Sequence, residues 1–179
     1  MRPLLALARA IDALNDRFAV AALWMVLAAT SVSALNATIR YAVDRSSNAW
    51  LELQWYLFAG IVMLGAPKVL RLNEHVRVDV LYGRLAPRAK AWVDLLGMML
   101  FLMPCAVLLC SMSWPWFVDA WATGEMSSNS GGLLRWPAKL ALPVGFGLLA
   151  LQGASEIIKR VGYLSGRFEM NVQYEKPLQ

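Results

Sequence analysis

The chain has 179 residues, of which 59% are hydrophobic and only 16% are charged, whereas soluble domains carry about a quarter charged residues. This composition excludes an ordinary soluble protein and predicts a membrane protein of about one domain. The net charge of +5 is also found in nucleic-acid-binding proteins. Here the charges lie in short blocks between apolar runs, so no nucleic-acid partner is expected.

The first seventeen residues predict an amphipathic helix that lies along the membrane surface. Charged residues at positions 9 and 12 interrupt the apolar segment, which argues against a signal peptide. One face of the predicted helix carries the apolar side chains Leu4, Leu7, Ile11 and Leu14.

Four apolar runs then predict four transmembrane helices, each long enough to cross about 30 Å of hydrocarbon. Glu52 lies in the first turn of the second helix, where the helix dipole favours a carboxylate. Pro87 is a plausible start for the third helix, and Pro104 and Pro115 predict kinks or a break in it. The predicted spans cover residues 18–39, 47–66, 92–118 and 137–155.

The connection between the second and third spans, residues 67–91, contains the block "EHVRVDVL". His75, Arg77 and Asp79 alternate there with valines, a period typical of a strand. A single strand would have no partner at this place. We therefore expect a turn through residues 73–77 and then a short interfacial helix capped by Asp79.

Lys and Arg residues indicate the orientation. The segments on one side of the predicted membrane (1–17, 67–94 and the tail) carry 13 of them, and the segments on the other side carry 3. The positive-inside rule then places both termini, the 67–91 loop and the 160–179 tail in the cytoplasm, and the 119–136 loop in the periplasm. The expected fold is an all-α integral membrane protein with four spans, and residues 1–179 form a single membrane domain.

The residues that most enzymes need are missing. The single histidine, His75, lies in a predicted loop, which argues against a haem cytochrome. Cys105 and Cys110 are five positions apart in one apolar run, too far for a disulfide on a helix. No cluster has metal-ligand spacing. The sequence therefore predicts no catalytic, substrate or metal site and no cofactor.

No charge lies deep in any predicted span, although ion-coupled transporters usually mark their pathway with one. The remaining polar side chains are mild, and such residues more often join helices than bind solute. A four-span chain of this kind is expected to be part of a larger assembly. The candidate helix-packing residues are Ala29, Ser33, Asn36 and Ala37.

Two stretches carry a resemblance to a known family: "ELQWYLFAGIVMLGAPKVLRLNEHVRVDVLYGRL" and "SSNSGGLLRWPAKLALPVGFGLLALQGASEIIKR". From about Phe18 to Arg160 the chain resembles the small membrane subunit, the DctQ-like small permease, of tripartite ATP-independent periplasmic (TRAP) transporters. The resemblance implies a static brace in the bacterial inner membrane, bound to a large elevator subunit that holds the substrate and sodium sites. It also implies a periplasmic solute-binding protein that delivers an organic acid, and an ion gradient as the energy source.

The resemblance suggests modest roles for individual residues. Structural or large-subunit contacts would come from Glu52, His75, Arg77 and Asp79. Trp136 and Lys139 would anchor the fourth span at the outer lipid headgroups. The positions that could dock the binding protein are Arg40, Arg45, Asp119, Glu125 and Arg135.

Two alternative functions stay open at this point. The chain could be a self-sufficient four-span transporter that works as a homo-oligomer, or a membrane interaction protein without transport. A buried carboxylate within a span would favour the first alternative. The absence of a stoichiometric partner on purification would favour the second.

Overall fold

The computed structural model describes residues 1–45, 47–73 and 82–169, and over these ranges the chain is helical with no strand. Four helices are long and apolar enough to cross a membrane: α1 (Arg2–Val43), α2 (Asn48–Leu72), α3 (Pro87–Thr123) and α4 (Trp136–Leu164). His75, Arg77, Asp79 and the predicted interfacial helix lie outside the described residues. The described part of the chain therefore confirms an all-α fold with four such helices.

The helices run alternately up and down, because the start of α1 contacts the end of α4 and the end of α2. One end of the bundle holds residues 2, 72, 87 and 164, and we call it the terminal end. The other end holds residues 43, 48, 123 and 136, and we call it the loop end.

The predicted surface helix at residues 1–17 is not a separate element, because α1 runs without interruption for 42 residues from Arg2 to Val43. Of the predicted apolar face only Ile11 is buried, and Leu4, Leu7 and Leu14 are exposed. The residues that face the bundle include Asn15, which is bonded to α4. Polar partners on α4 hold this segment against the bundle.

Both α2 and α4 extend beyond the predicted spans. The apolar run of α2 stops at Pro67, but the helix continues through this proline to Leu72 and ends at Asn73 in the left-handed conformation (φ 61°). Helix α4 continues from the predicted limit at residue 155 to Leu164. The helix therefore includes the first residues of the predicted 160–179 tail. In each case the extra turns carry charged residues that pair inside the bundle.

Helix α3 is unbroken over 37 residues, so the break considered for it is absent. It begins at Pro87, as predicted. A π-helical turn at Met98–Leu102 ends two residues before Pro104. Proline lacks an N–H group and clashes with the carbonyl group four residues earlier, and a widened turn at this place relieves both problems within the helix.

The apolar core is thin and depends on close helix contacts. Ala22, Leu64 and Leu148 form its centre. Gly145 of α4 lies so close to α2 that an added Cβ would stand 2.5 Å from the Cβ atom and 2.9 Å from the carbonyl oxygen of Met63. Only glycine permits this approach of the two backbones.

The predicted packing residues of α1 differ in their surroundings. Asn36 is buried, Ala29 and Ala37 are partly covered, and Ser33 is exposed. Ser33 is thus largely uncovered by the described helices, and its role in helix packing stays a prediction.

Candidate functional site

At the loop end, Glu52 joins α2 to the segment between α3 and α4. Its carboxylate accepts hydrogen bonds from the backbone N–H of Leu133 (2.7 Å), from Asn129 Nδ2 (2.8 Å) and from the hydroxyl group of Ser127. The side chain is almost fully buried. Glu52 therefore acts as a structural clamp on residues 124–135 within this chain, and a contact with the large subunit stays a prediction.

The clamped segment, residues 124–135, has a compact fold of its own. The N–H of Ser127 donates to the carbonyl oxygen of Leu133 (2.9 Å), and the N–H of Arg135 donates to that of Glu125 (2.8 Å). A bridge between Met126 and Leu134 completes this short hairpin. The hairpin brings together the three donors that Glu52 needs.

Lys139, in the first turn of α4, also turns inward at this end. Its ammonium group contacts the Glu125 carboxylate and lies 4.3 Å from the centre of the Trp116 ring. Arg135 pairs with the same carboxylate at 3.3 Å. The hydrogen bond from Lys139 is the largest cause of the lowered pKa of Glu125. Lys139 thus pairs within the chain, and its role as an anchor at the lipid headgroups stays a prediction.

The other loop-end residues are less enclosed. Trp136 packs edge-on against Trp121, with ring centres 4.6 Å apart. Arg40, Arg45 and Asp119 are exposed, and Arg40 lies over the ring of its neighbour Tyr41. The candidate docking residues therefore divide into three exposed side chains and the internal Glu125–Arg135 pair.

A larger polar cluster lies at the terminal end and includes residues of the segment 1–17, which the sequence predicts to lie along the membrane surface. Asn15 Nδ2 of α1 donates to Gln152 Oε1 of α4 at 2.7 Å. Gln152 Nε2 in turn donates to Asp12 (2.9 Å) and to Glu156 (3.2 Å). Asn15 and Gln152 are 1% and 0% exposed. This chain of amide contacts connects α1 and α4 through the centre of the bundle end.

Ion pairs surround these amide groups. Lys159 lies 2.9 Å from Asp12 and 2.5 Å from Glu156. Arg160 pairs with Glu156 at 2.5 Å and with Asp94 of α3 at 3.2 Å. The cluster therefore reaches three of the four helices.

Helix α2 joins the same cluster through its extra turns. Lys68 and Arg71 contact the Asp16 carboxylate at 2.5 Å and 2.6 Å. The four carboxylates, Asp12, Asp16, Asp94 and Glu156, face four cations, Lys68, Arg71, Lys159 and Arg160. The buried members of the group, Glu156 and Arg160, thus have partners of opposite charge, which offsets the cost of removing them from water.

The sequence contains one signal for this cluster. Polar residues on α4 recur with helical spacing at 152, 155, 156 and 159, and those on α1 recur at 12, 15 and 16. Two polar stripes at ends that meet in an antiparallel bundle predict a contact. The sequence of residues 1–17 also fits an amphipathic surface helix, whose polar face would contact water, so it does not by itself predict this contact with α4.

The middle of the bundle is different from both ends. Residues 18–39, 53–67, 95–118 and 140–155 contain no Asp, Glu, His, Lys or Arg. On α4, residues 140–151 are all apolar, a length of about 18 Å. Over the described residues, no group of three His, Cys, Asp or Glu side chains could hold a metal ion. The arrangement can hold helices together, but these segments present no charged group to a solute.

Comparison with known proteins gives the family. Residues 29–162 match the family described as "Tripartite ATP-independent periplasmic transporters, DctQ component". A protein of Haemophilus influenzae (strain ATCC 51907 / DSM 11121 / KW20 / Rd), provisionally named a TRAP transporter small permease protein, is 32% identical over 80 residues. That match covers 45% of this chain and about half, 49%, of the relative. No solved structure matches. The chain belongs to the DctQ family of TRAP transporter components.

Proposed function

We propose that this chain is the non-catalytic scaffold subunit of a TRAP transporter, bound to a large membrane subunit that carries the solute and the coupling ion. The observation that carries the proposal is the placement of charge. The charged residues of the described helices lie toward the two ends, and the buried ones are paired within the chain. A solute or ion crossing the apolar middle would find no charged group there.

The outer surface supports a protein partner. A groove of about 830 Å³ runs between α1 and α2, lined by apolar residues that include Leu23, Val26 and Val62. Trp55 and Phe58 are each 65% exposed on α2. Van der Waals packing drives association between membrane helices, and a groove of this size provides room for side chains of a neighbouring helix. We assign this face to the large subunit.

The orientation follows from the charge count. The sequence segments outside the predicted spans carry 13 Lys and Arg residues on the side of the terminal end and 3 on the side of the loop end, where Lys139 of the fourth span adds one more. The positive-inside rule then places the terminal end in the cytoplasm. The loop end then faces the periplasm of a bacterial inner membrane. Its exposed charges, Arg40, Arg45 and Asp119, are available to a periplasmic solute-binding protein, and rim charges of this kind govern the rate of encounter more than the affinity.

The transported solute and the ion belong to the other subunits. An organic acid as solute and sodium as coupling ion are proposed from the resemblance to the family. Residues His75, Arg77 and Asp79 are proposed to contact the large subunit or to fix the connection between α2 and α3.

Copurification tests the scaffold role. The tagged full-length chain, expressed with its neighbouring genes and extracted in mild detergent, should recover a large multi-span protein in a fixed ratio. Val62→Trp in the groove should reduce that recovery at least tenfold. Leu108→Trp on exposed α3 should leave it unchanged. Recovery of no stoichiometric partner by the unmodified chain would contradict the proposal.

A further inference from the structure

A cavity of about 470 Å³ opens at the terminal end, between the first turns of α1 and the last turns of α4. Arg2, Arg9 and Lys159 line it, together with Asp12 and the apolar side chains Leu5 and Phe168. Three cations and one carboxylate give the lining a net charge of +2. Its volume is typical of a site for a small ligand.

The charge of the cavity is not neutralised from within the described residues. Asp12 and Lys159 pair with each other at 2.9 Å. Gln152 and Ser155 also donate to Asp12. No ion pair is formed by Arg2 or Arg9 with any residue that the structure describes. Two guanidinium groups are therefore left to face an anion.

The surroundings of the cavity select the kind of anion. Leu4 and Leu7 of the same helix segment project away from the bundle and are 47% and 52% exposed. Such side chains need hydrocarbon, so this part of α1 lies at the boundary between acyl chains and headgroups. Arginine residues at this depth extend toward phosphate groups while their stems stay in apolar surroundings.

We propose that this cavity is a binding site for an anionic phospholipid. The phosphate group lies between Arg2 and Arg9, where the guanidinium groups can donate paired hydrogen bonds to its oxygens. An acyl chain lies along Leu5 and Phe168. The lipid would hold the first turns of α1 against the end of α4, beside the ion cluster. The site does not depend on the large subunit and so stands or falls separately from the scaffold role.

Native mass spectrometry of the full-length chain tests the site. The chain is reconstituted in nanodiscs with equal amounts of phosphatidylglycerol and phosphatidylcholine, and the retained lipids are counted after release. We expect the unmodified chain to retain phosphatidylglycerol preferentially. Because the phosphate group would lose its direct charge-assisted hydrogen bonds, Arg2→Gln with Arg9→Gln should reduce this preference about tenfold.

The control is the pair Arg84→Gln and Arg88→Gln. These two arginines are exposed at the same end but do not line the cavity, and their removal should change the preference less than twofold. Equal losses in both double variants, or an unchanged preference without Arg2 and Arg9, would overturn the proposal. Displacement of the lipid by millimolar glycerol 3-phosphate would assign the site to a free phosphate and would overturn the lipid as well.

Discussion

The buried amide contact at the terminal end makes a quantitative prediction. Gln152→Met replaces the amide by a side chain of similar length and removes the acceptor for Asn15 Nδ2, now at 2.7 Å. Among the residues that the structure describes, Asn15 Oδ1 already has no hydrogen-bond partner. Both polar atoms of a side chain that is 1% exposed would then be unpaired within this part of the chain. A buried polar group without a partner costs about 1–3 kcal/mol. The single variant should be destabilised by at least that amount.

The reverse substitution tests the reasoning further. Asn15→Leu leaves Gln152 Oε1 without its hydrogen-bond donor and should lower the free energy of unfolding by a similar amount. The double variant contains neither of these unpaired amide groups. We therefore expect it to be at least about 1 kcal/mol more stable than the sum of the two single effects predicts. The assay is thermal unfolding of the four full-length chains in the same detergent. Strictly additive effects would contradict this expectation, since they would mean that the two amides do not depend on each other.

Three further predictions concern other contacts. Gly145→Ala should destabilise the chain by about 1–3 kcal/mol, because the new Cβ would lie 2.9 Å from the Met63 carbonyl oxygen. Gly147→Ala on the same helix, with only Cys110 Sγ at 3.8 Å, should be tolerated; equal melting temperatures for the two variants would contradict this. Glu52→Gln should accelerate amide hydrogen exchange at Leu133, because a neutral amide replaces the carboxylate that accepts this N–H. Gln54→Glu, a nearby substitution of the opposite kind, should not accelerate it. Unchanged hydrogen exchange in E52Q would contradict the role of Glu52 as a clamp. The lowered pKa of Glu125 means that its pairing stabilises the fold at pH values above the ordinary pKa of 4.5, and that this stability is lost as the pH falls through the lowered pKa. Between pH 7 and pH 3 the melting temperature should therefore fall less in Glu125→Gln than in the unmodified chain. Parallel curves of melting temperature against pH would contradict the pairing.

The sequence predicts the number and approximate position of the helices because each apolar run is long and is bounded by charge. The limits of an apolar run are not the limits of the helix where the helix continues into a charged segment. Pro67 ends an apolar run, yet the helix continues for five residues because Lys68 and Arg71 find a carboxylate on α1. Hydropathy measures the match to hydrocarbon and does not register pairing between helices.

At both polar sites, the Glu52 site and the terminal-end cluster, the sequence indicates the polar residues but not their partners. The position of Glu52 near the start of α2 is evident from the sequence, but its donors are 75 to 81 residues away and meet it only in the folded hairpin. At the terminal end, the sequence alone places Asp12 and Asn15 on the polar face of a surface helix, in contact with water. Their partners on α4 are 140 and 137 residues away. Contacts of such separation depend on the packing of the whole bundle.

Solute flux into proteoliposomes tests the central proposal, a brace without a pathway of its own, most directly. Three preparations are compared under a sodium gradient with the loaded solute-binding protein present: this chain alone, the large subunit alone, and both together. We expect solute flux only when both subunits are present. For this chain alone we expect no more flux than in empty liposomes. Saturable flux through this chain alone, or full flux through the large subunit without it, would contradict the account.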